Sequence, residues 1–441
     1  MKKALLIQIL LLVLLLSGCA RQAADEVTPA PTPEITPQPV PGVTLEPVPV
    51  EPPSGLETIS FDAAMAKVRA DSDAVYLFAT NVGKGDALVL RTGDAVCLID
   101  TGRAWARGRV DNALALMGSS FKSGDSYHLD AVFLTHTDDD HAGGLAWLAG
   151  EAFPIVEHWA APAMFTGVKP SKHPMVRVAG DGVHWLERGD EIPVGESGAV
   201  LKVLAPASLY EDKDNNNSLV MMLESPHGKM LLAGDMELPE EAELLAQGDD
   251  LRCDVLKVAN HADDDTTSAE FASACAARIA VISTSSEEKP ETPDPGVVAR
   301  LEAAGSRVIV TEDSGLGVLV TLKNGVLEAQ YVDFGAQPLT GVSIAQVDAS
   351  DDRITLQNAS GTAVDLLGCY LYSDRGDELY VFPDGATIEP GASLTVGTNS
   401  TDGDYDLLWD DEKVVNKKKA DAIWLYDSWG RLIDAMGNGI D

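Results

Sequence analysis

Positive charge is in short supply in this chain of 441 residues: 32 Lys and Arg face 69 Asp and Glu, a formal net charge of −37. That balance excludes a protein that coats nucleic acid or holds a membrane through a polybasic surface, because phosphates are repelled over most of it. Cysteine is equally sparse. Five residues without a CxxC pair exclude a disulfide-dense small scaffold and a Cys-rich zinc module. Collagen and coiled-coil compositions are absent, and after residue 16 no stretch is long and apolar enough to cross a membrane. What is present, 45% hydrophobic and 23% charged residues, is the make-up of a globular protein. At roughly 150 residues per domain the length suggests two or three domains. Cys97, Cys253, Cys275 and Cys369 lie among apolar or small neighbours and read as buried free thiols.

Lys2 and Lys3 precede an apolar run, Ala4 to Leu16, broken only by Gln8. The run is shorter than the ~20 residues of a membrane span, and basic-then-apolar order is that of a secretory signal. It closes on Leu16-Ser17-Gly18-Cys19, which resembles the bacterial lipobox. The resemblance implies a lipid on Cys19, a membrane partner reached through it, and residence at the cell membrane on its extracellular or periplasmic face. Thr28 to Pro53 then holds ten of the 24 prolines, a composition that favours an extended polyproline path and reads as a spacer.

From about residue 57 strands and helices alternate, which argues an α/β domain of roughly 280 residues. Helices are expected at Ala63–Ala70, Arg107–Met117 and Glu237–Gln247. Strands are expected at Val75–Thr80, Ala87–Arg91, Val96–Ile99, Ala131–Leu134, Val200–Leu204, Leu219–Glu224, Met230–Leu232, Val255–Val258, Val308–Val310 and Leu316–Leu322. Four of these strands run into polar residues able to hold a metal: Asp100, His136, Asp235 and His261. Strand ends are rigid supports for a site.

The densest chemistry is His136-Thr137-Asp138-Asp139-Asp140-His141-Ala142-Gly143-Gly144. Two histidines and three aspartates in six residues combine nitrogen and hard oxygen donors. A run of aspartates alone reads as a solvated loop. Histidine at both ends, an apolar strand before and a glycine pair after turn the reading to metal ligation.

His136-x-Asp138-x-Asp140-His141 resembles the HxHxDH motif of the metallo-β-lactamase superfamily, with the Asp-for-His exchange of its ComEC-type competence-protein branch. Val82-Gly83-Lys84-Gly85-Asp86-Ala87 (VGQGDA in that branch), Leu98 to Gly102, Asn215 to Val220, Leu232 to Asp235 and Leu256 to His261 match in the same order, over about residues 73–333. The resemblance implies a four-layer αββα sandwich and two divalent metal ions, zinc or manganese, with magnesium as a further candidate. It assigns His136 and Asp138 to one ion and Asp140, His141 and His261 to the other. Asp235 bridges them, Asp140 is the catalytic carboxylate, and Asp100 supports a ligand from behind. There are departures. No histidine supplies the usual third ligand to the first ion, and Asn215 to Asn217 fall near that place. The family's HHGS reads Asn260-His261-Ala262-Asp263, its Gly-His-Pro element reads Glu291-Thr292-Pro293, and Asp263 to Asp265 add negative charge at the mouth. His128, His158, His173, His184 and His227 read as ordinary surface or core histidines.

After about residue 340 the pattern becomes short strands and Asn, Gly, Asp and Pro turns, an all-β sandwich. Ile354 to Asn358 with Val364 to Leu371, Phe382 to Gly385 with Ile388 to Gly391, and Ala422 to Asp427 with Gly430 to Asp434 resemble the immunoglobulin-like lamin-tail domain. The expected organisation is a signal peptide at 1–19, a Pro-rich linker at 20–56, a metallo-β-lactamase-like domain at 57–335 and a lamin-tail-like domain at 340–441. The function implied is an extracellular, lipid-anchored, metal-dependent hydrolase, with phosphodiester cleavage of a nucleic acid or nucleotide first in line. The alternative is a metal-binding surface scaffold or adhesion protein whose lamin-tail domain meets an unidentified cell-surface partner.

Overall fold

The computed structural model describes residues 55–118, 128–150 and 155–438. The signal peptide, Cys19 and nearly all of the linker lie outside the described residues. Two sheets face each other. The first has nine strands in the order Thr58–Ile59, Val326–Val332, Gly317–Lys323, Val75–Thr80, Leu88–Thr92, Ala95–Ile99, His128–Phe133, Ile155–Pro162 and Val183–Leu186. The second has seven, Arg307–Val310, Ile279–Ile282, Val255–Lys257, Gly228–Leu232, Val220–Ser225, Ala199–Ala205 and Glu191–Val194.

Three separate cores make the layers. Leu77, Leu90, Phe133, Leu201, Met221 and Leu232 fill the space between the sheets. Helices Phe61–Ala70 and Arg107–Met117 cover the outer face of the first sheet through Val68, Val110 and Leu114. Helices Leu238–Gln247, Ala269–Cys275 and Pro295–Ala303 cover the second through Leu244, Phe271 and Leu301. Strands buried on both faces explain the near-continuous apolar runs such as Val75–Thr80. The result is the expected αββα sandwich. Cys97, Cys253, Cys275 and Cys369 are free and buried, as their neighbours indicated.

Glu240, on helix Leu238–Gln247, is 1% exposed. Burial pushes its carboxyl well above the usual range against an opposing Ser218 N–H, with Glu243, Asp214 and Glu237 adding to the rise. A carboxyl that keeps its proton when folded and loses it when unfolded stabilises below its unfolded value and loses that contribution as pH rises. Glu240→Gln is therefore expected to raise the melting temperature at pH 7–8 by roughly 2–4 °C, on the scale of about 1 kcal/mol. The gain should vanish near pH 4; scanning calorimetry at both pH values reads the difference, and no gain at pH 8 contradicts it.

Residues after 336 form a smaller all-β unit. One four-stranded sheet runs Val342–Asp348, Arg353–Asn358, Ser393–Thr398, Leu407–Trp409; the other runs Glu378–Val381, Tyr370–Ser373, Asp421–Tyr426, Leu432–Asn438. Ile354, Leu356, Leu371, Val396 and Leu425 lie between them. This sandwich is locked to the segment that follows Asp100. The buried Tyr370 hydroxyl donates to the Trp105 carbonyl (2.6 Å) and accepts from Gly108 N–H (3.3 Å). Arg109 donates to the carbonyls of Gly430 and Asn81, and the Trp105 and Tyr426 rings stack at 5.8 Å.

Candidate metal centre

The centre is built at the C-terminal ends of parallel strands in both sheets. Asp100 follows Ala95–Ile99 and His136 follows His128–Phe133, a parallel pair. Asp235 follows Gly228–Leu232 and His261 follows Val255–Lys257, again parallel. Backbone bonds tie the ends together: Asp100 N to Phe133 O (2.8 Å), Leu219 N to Thr135 O (2.9 Å) and Asn260 N to Gly234 O (3.1 Å). Gly234 must be glycine in this arrangement, since it has φ +53° and a Cβ there would lie 3.0 Å from Ser218 Cβ and 3.2 Å from Thr135 Cβ.

Asp235 Oδ2 is the focus. His261 Nε2 lies 3.1 Å from it, His141 Nε2 3.2 Å and His136 Nε2 3.9 Å. Ligands about 2.0–2.1 Å from a common tetrahedral ion sit roughly 3.4 Å apart, which these separations bracket. The tautomers are set from behind. Asp100 Oδ2 is 2.7 Å from His141 Nδ1, and the Ser283 carbonyl is 2.7 Å from His261 Nδ1. Thr135 Oγ1 donates to Asp100 Oδ2 (2.7 Å), so it accepts from His136 Nδ1 at 3.1 Å. With Nδ1 protonated in each ring, all three Nε2 atoms offer lone pairs inward. Two such atoms, on His141 and His261, face each other at 3.3 Å. Lone pair against lone pair is repulsive, and either a proton shared between them or a metal cation in their place removes the repulsion. His136 Nε2 and Asp235 Oδ1 are buried without a hydrogen-bond partner. The donor set therefore fits a divalent cation on its own geometry.

Charge agrees. Burial disfavours a charged Asp235, yet His141 and His261 hold its carboxyl well below the usual range. Burial works against a charged His141 as well, and Asp235 and Asp100 outweigh it and push the imidazole well above its ordinary value. The buried carboxylates create a potential that only positive charge relieves.

Among the described residues the donors form three overlapping groups; two are built on the motif, His136, His141 and Asp235, and Asp140, His141 and His261, and the third is Asp86, Asp100 and His141. His141 belongs to all of them, whereas the motif assigned it to one ion. Asp138 is half-exposed at the rim, and its Oδ2 is 3.7 Å from His136 Nε2, no farther than Asp235 Oδ2 is from that atom, so it stays within reach of an ion on His136. The asparagine run contributes no free amide from its two buried members. Asn216 is bonded to Glu237 and to Glu240 N–H, and Asn217 to the Tyr210 and Lys213 backbone. The negative charge expected at the mouth is reduced, because Asp263 pairs with Lys289 and Asp265 with Lys213. His128, His158, His173, His184 and His227 take no part in any of these groups.

Backbone strain concentrates here. Asp100 has φ +59°, and Asn260, His261 and Ala262 follow one another at φ +42°, +54° and +61°. Each such non-glycine residue costs of order 1–3 kcal/mol and persists where the surroundings over-determine it. Ala262 stands where the related motif has glycine, so this chain keeps the glycine's backbone shape without its freedom. Asp100→Asn preserves shape and tolerance of positive φ while removing the charge behind His141. Divalent-ion affinity is expected to fall about 10–100-fold with the fold intact; isothermal titration beside a thermal melt checks it, and unchanged affinity would contradict it.

Several working residues carried no role in the sequence reading. Thr135 links His136 to Asp100. Asp86 Oδ2 is 2.8 Å from Lys257 Nζ, both side chains being fully buried. The signal for that pair was a lysine inside the apolar strand Val255-Leu256-Lys257-Val258, which burial permits only with a partner. Lys84 Nζ is 2.8 Å from Asp140 Oδ2.

Two family models agree with this architecture. The chain matches the Metallo-beta-lactamase superfamily over residues 80–285 and the Lamin Tail Domain over residues 336–439. It is 28% identical over 195 residues to ComE operon protein 3 of Bacillus subtilis, covering 42% of this chain and 24% of the relative. It is 28% identical over 239 residues to Recombination protein 2 of Haemophilus influenzae, covering 53% of this chain and 27% of the relative. The chain thus spans about a quarter of the length of these curated relatives. Among solved structures it is similar to the metallo-beta-lactamase fold protein YhfI from Bacillus subtilis, with 12% identity, 56% of this chain, 99% of the other and a TM-score of 0.37. The chain carries a metallo-beta-lactamase superfamily domain, related in sequence to competence proteins, followed by a lamin tail domain.

Proposed function

We propose that this protein is a metal-dependent hydrolase of anionic esters, phosphodiesters first, held by a lipid on Cys19 outside the cell membrane. The observation that carries the proposal is the convergence of His136, His141 and His261 Nε2 on Asp235 Oδ2. A divalent cation bound there supplies an acidified water and neutralises charge on the ester. The chain's own residues do the rest. Asp100, Thr135 and the Ser283 carbonyl fix the three imidazoles before any substrate arrives. Asp140, held by Lys84, is the carboxylate that orients the attacking water and takes its proton. Asp138, half-exposed at the rim, is held as a carboxylate by His136 and is a further donor toward the cation; the proton that Asp140 takes from the water is the one that goes to the leaving oxygen. The acidic surface repels a polyanion overall, so affinity for a nucleic acid has to come from the cation. One of the relatives being a recombination protein supports nucleic acid as the substrate class.

The test is a phosphodiesterase screen on the purified chain with manganese, zinc and magnesium, using a bis-aryl phosphodiester and single-stranded DNA. Turnover that chelator abolishes and metal restores is the expected result. No turnover of either substrate with any ion, in protein that demonstrably binds metal, would favour a scaffold role. Anchoring is tested separately: Cys19→Ala should move the chain out of the membrane fraction, and unchanged retention would refute the lipid.

A further inference from the structure

The two donor groups built on the motif are not equivalent, and the difference lies in a lysine. Asp140 Oδ2 is the oxygen through which Asp140 approaches His261 Nε2, at 3.6 Å, around the second group. The same oxygen carries Lys84 Nζ at 2.8 Å. Both side chains are largely buried, 19% and 9% exposed, so water screens the contact little. The lysine is set there by its loop. Glu288 accepts from Lys84 N (3.3 Å), Asp86 N donates to the Asp140 carbonyl (3.1 Å), and Gly85 packs so closely that a Cβ would lie 2.5 Å from that carbonyl. Around His136, His141 and Asp235 no ammonium among the described residues comes within ion-pair distance, although Lys84 is near enough to act on Asp235 through its charge, and His136 Nε2 and Asp235 Oδ1 are unpartnered. The related motif has glutamine where Lys84 stands.

We propose that Lys84 is a built-in cation of this centre: its ammonium takes the place of the second divalent ion at Asp140, leaving one ion held tightly by His136, His141 and Asp235 and a second position that metal fills only weakly. An ammonium and a divalent ion on one carboxylate oxygen repel each other, and a carboxylate already neutralised is a poorer donor. The ammonium supplies a fixed positive charge beside the reacting ester without an exchangeable metal. The inference rests on the metal-centre reading and extends it to the count of ions.

Calorimetric titration of the purified chain with manganese and with zinc, with elemental analysis after dialysis, tests it in the wild type, Lys84→Gln, Lys84→Met and Lys84→Arg. The wild type should bind one ion tightly and a second at least about tenfold more weakly. Lys84→Gln and Lys84→Met should tighten the second ion by about tenfold or more and change the first by less than about threefold. Lys84→Arg, which keeps the charge, should leave the second position weak. Two ions of equal affinity in the wild type, or a second affinity unchanged in both neutral variants, would overturn the role of Lys84 while leaving the metal centre standing. No ion bound by any of the four proteins would overturn the metal-centre reading and this inference with it.

Discussion

Asp235→Ala is expected to abolish divalent-ion binding, with metal content after dialysis falling to background. Asp235 Oδ2 is within 3.1–3.9 Å of all three imidazole Nε2 atoms, and among the described residues no other carboxylate reaches all three. Removing it takes away the anionic donor of the His136, His141 and Asp235 group and leaves imidazoles that repel one another. The loss should exceed the roughly 10–100-fold typical of removing a residue that only supports a ligand. Asp235→Asn, nearly the same shape, should lose most of the affinity too, because an amide oxygen carries no charge. Asp138→Ala offers the contrast: half-exposed and close to His136 alone among the imidazoles, it should cost far less of the ion than Asp235→Ala. Elemental analysis at matched free metal reads all three, and equal metal in wild type and Asp235→Ala contradicts the assignment.

Lys257→Met is expected to be the most destabilising of these substitutions, by about 3–5 kcal/mol. Lys257 is fully buried, its ammonium bound to Asp86 Oδ2 and to the Val258 carbonyl, each at 2.8 Å. Methionine leaves Asp86 charged, buried and unpaired. Asp86→Asn in the same chain removes that charge and should restore a large part of the loss. Asp86 also anchors the centre through its backbone, accepting from Gly102 N at 2.7 Å and donating to the Asp140 carbonyl. The single variant should therefore weaken metal binding along with the fold. Urea unfolding of the single and double variants decides it; a loss below about 1 kcal/mol would show that Asp86 finds water or a proton instead.

Much of the molecule was readable in the chain. Arg107–Met117 and Val75–Thr80 appear with the boundaries their patterns indicated, because long periodic or wholly apolar runs leave little choice. Ile155–Pro162, Val183–Leu186, Glu191–Val194 and Val326–Val332 were not evident. They are the outer strands, half-exposed and mixed in composition, so their apolar signal is weak even though each pairs with a strand adjacent in sequence. At the centre, His136, Asp235 and His261 were legible because each follows an apolar strand, and Asp140 and His141 because they stand in one dense His/Asp segment. Their partition was not. That His141 lies in every group, that Asp138 sits on the rim and that Asn216 and Asn217 are spent on loop hydrogen bonds follow from how two sheets meet, which no local pattern encodes. Lys84 and Lys257 illustrate the same limit: a lysine's partner is chosen in space.

The most direct test of the cation centre is anomalous diffraction from crystals of the described region soaked in manganese or zinc. The expected map has a strong peak bonded at about 2.0–2.2 Å to His136 Nε2, His141 Nε2 and an Asp235 oxygen. A saturating soak that places no peak within reach of those atoms, or places the ion only on surface carboxylates, would contradict it.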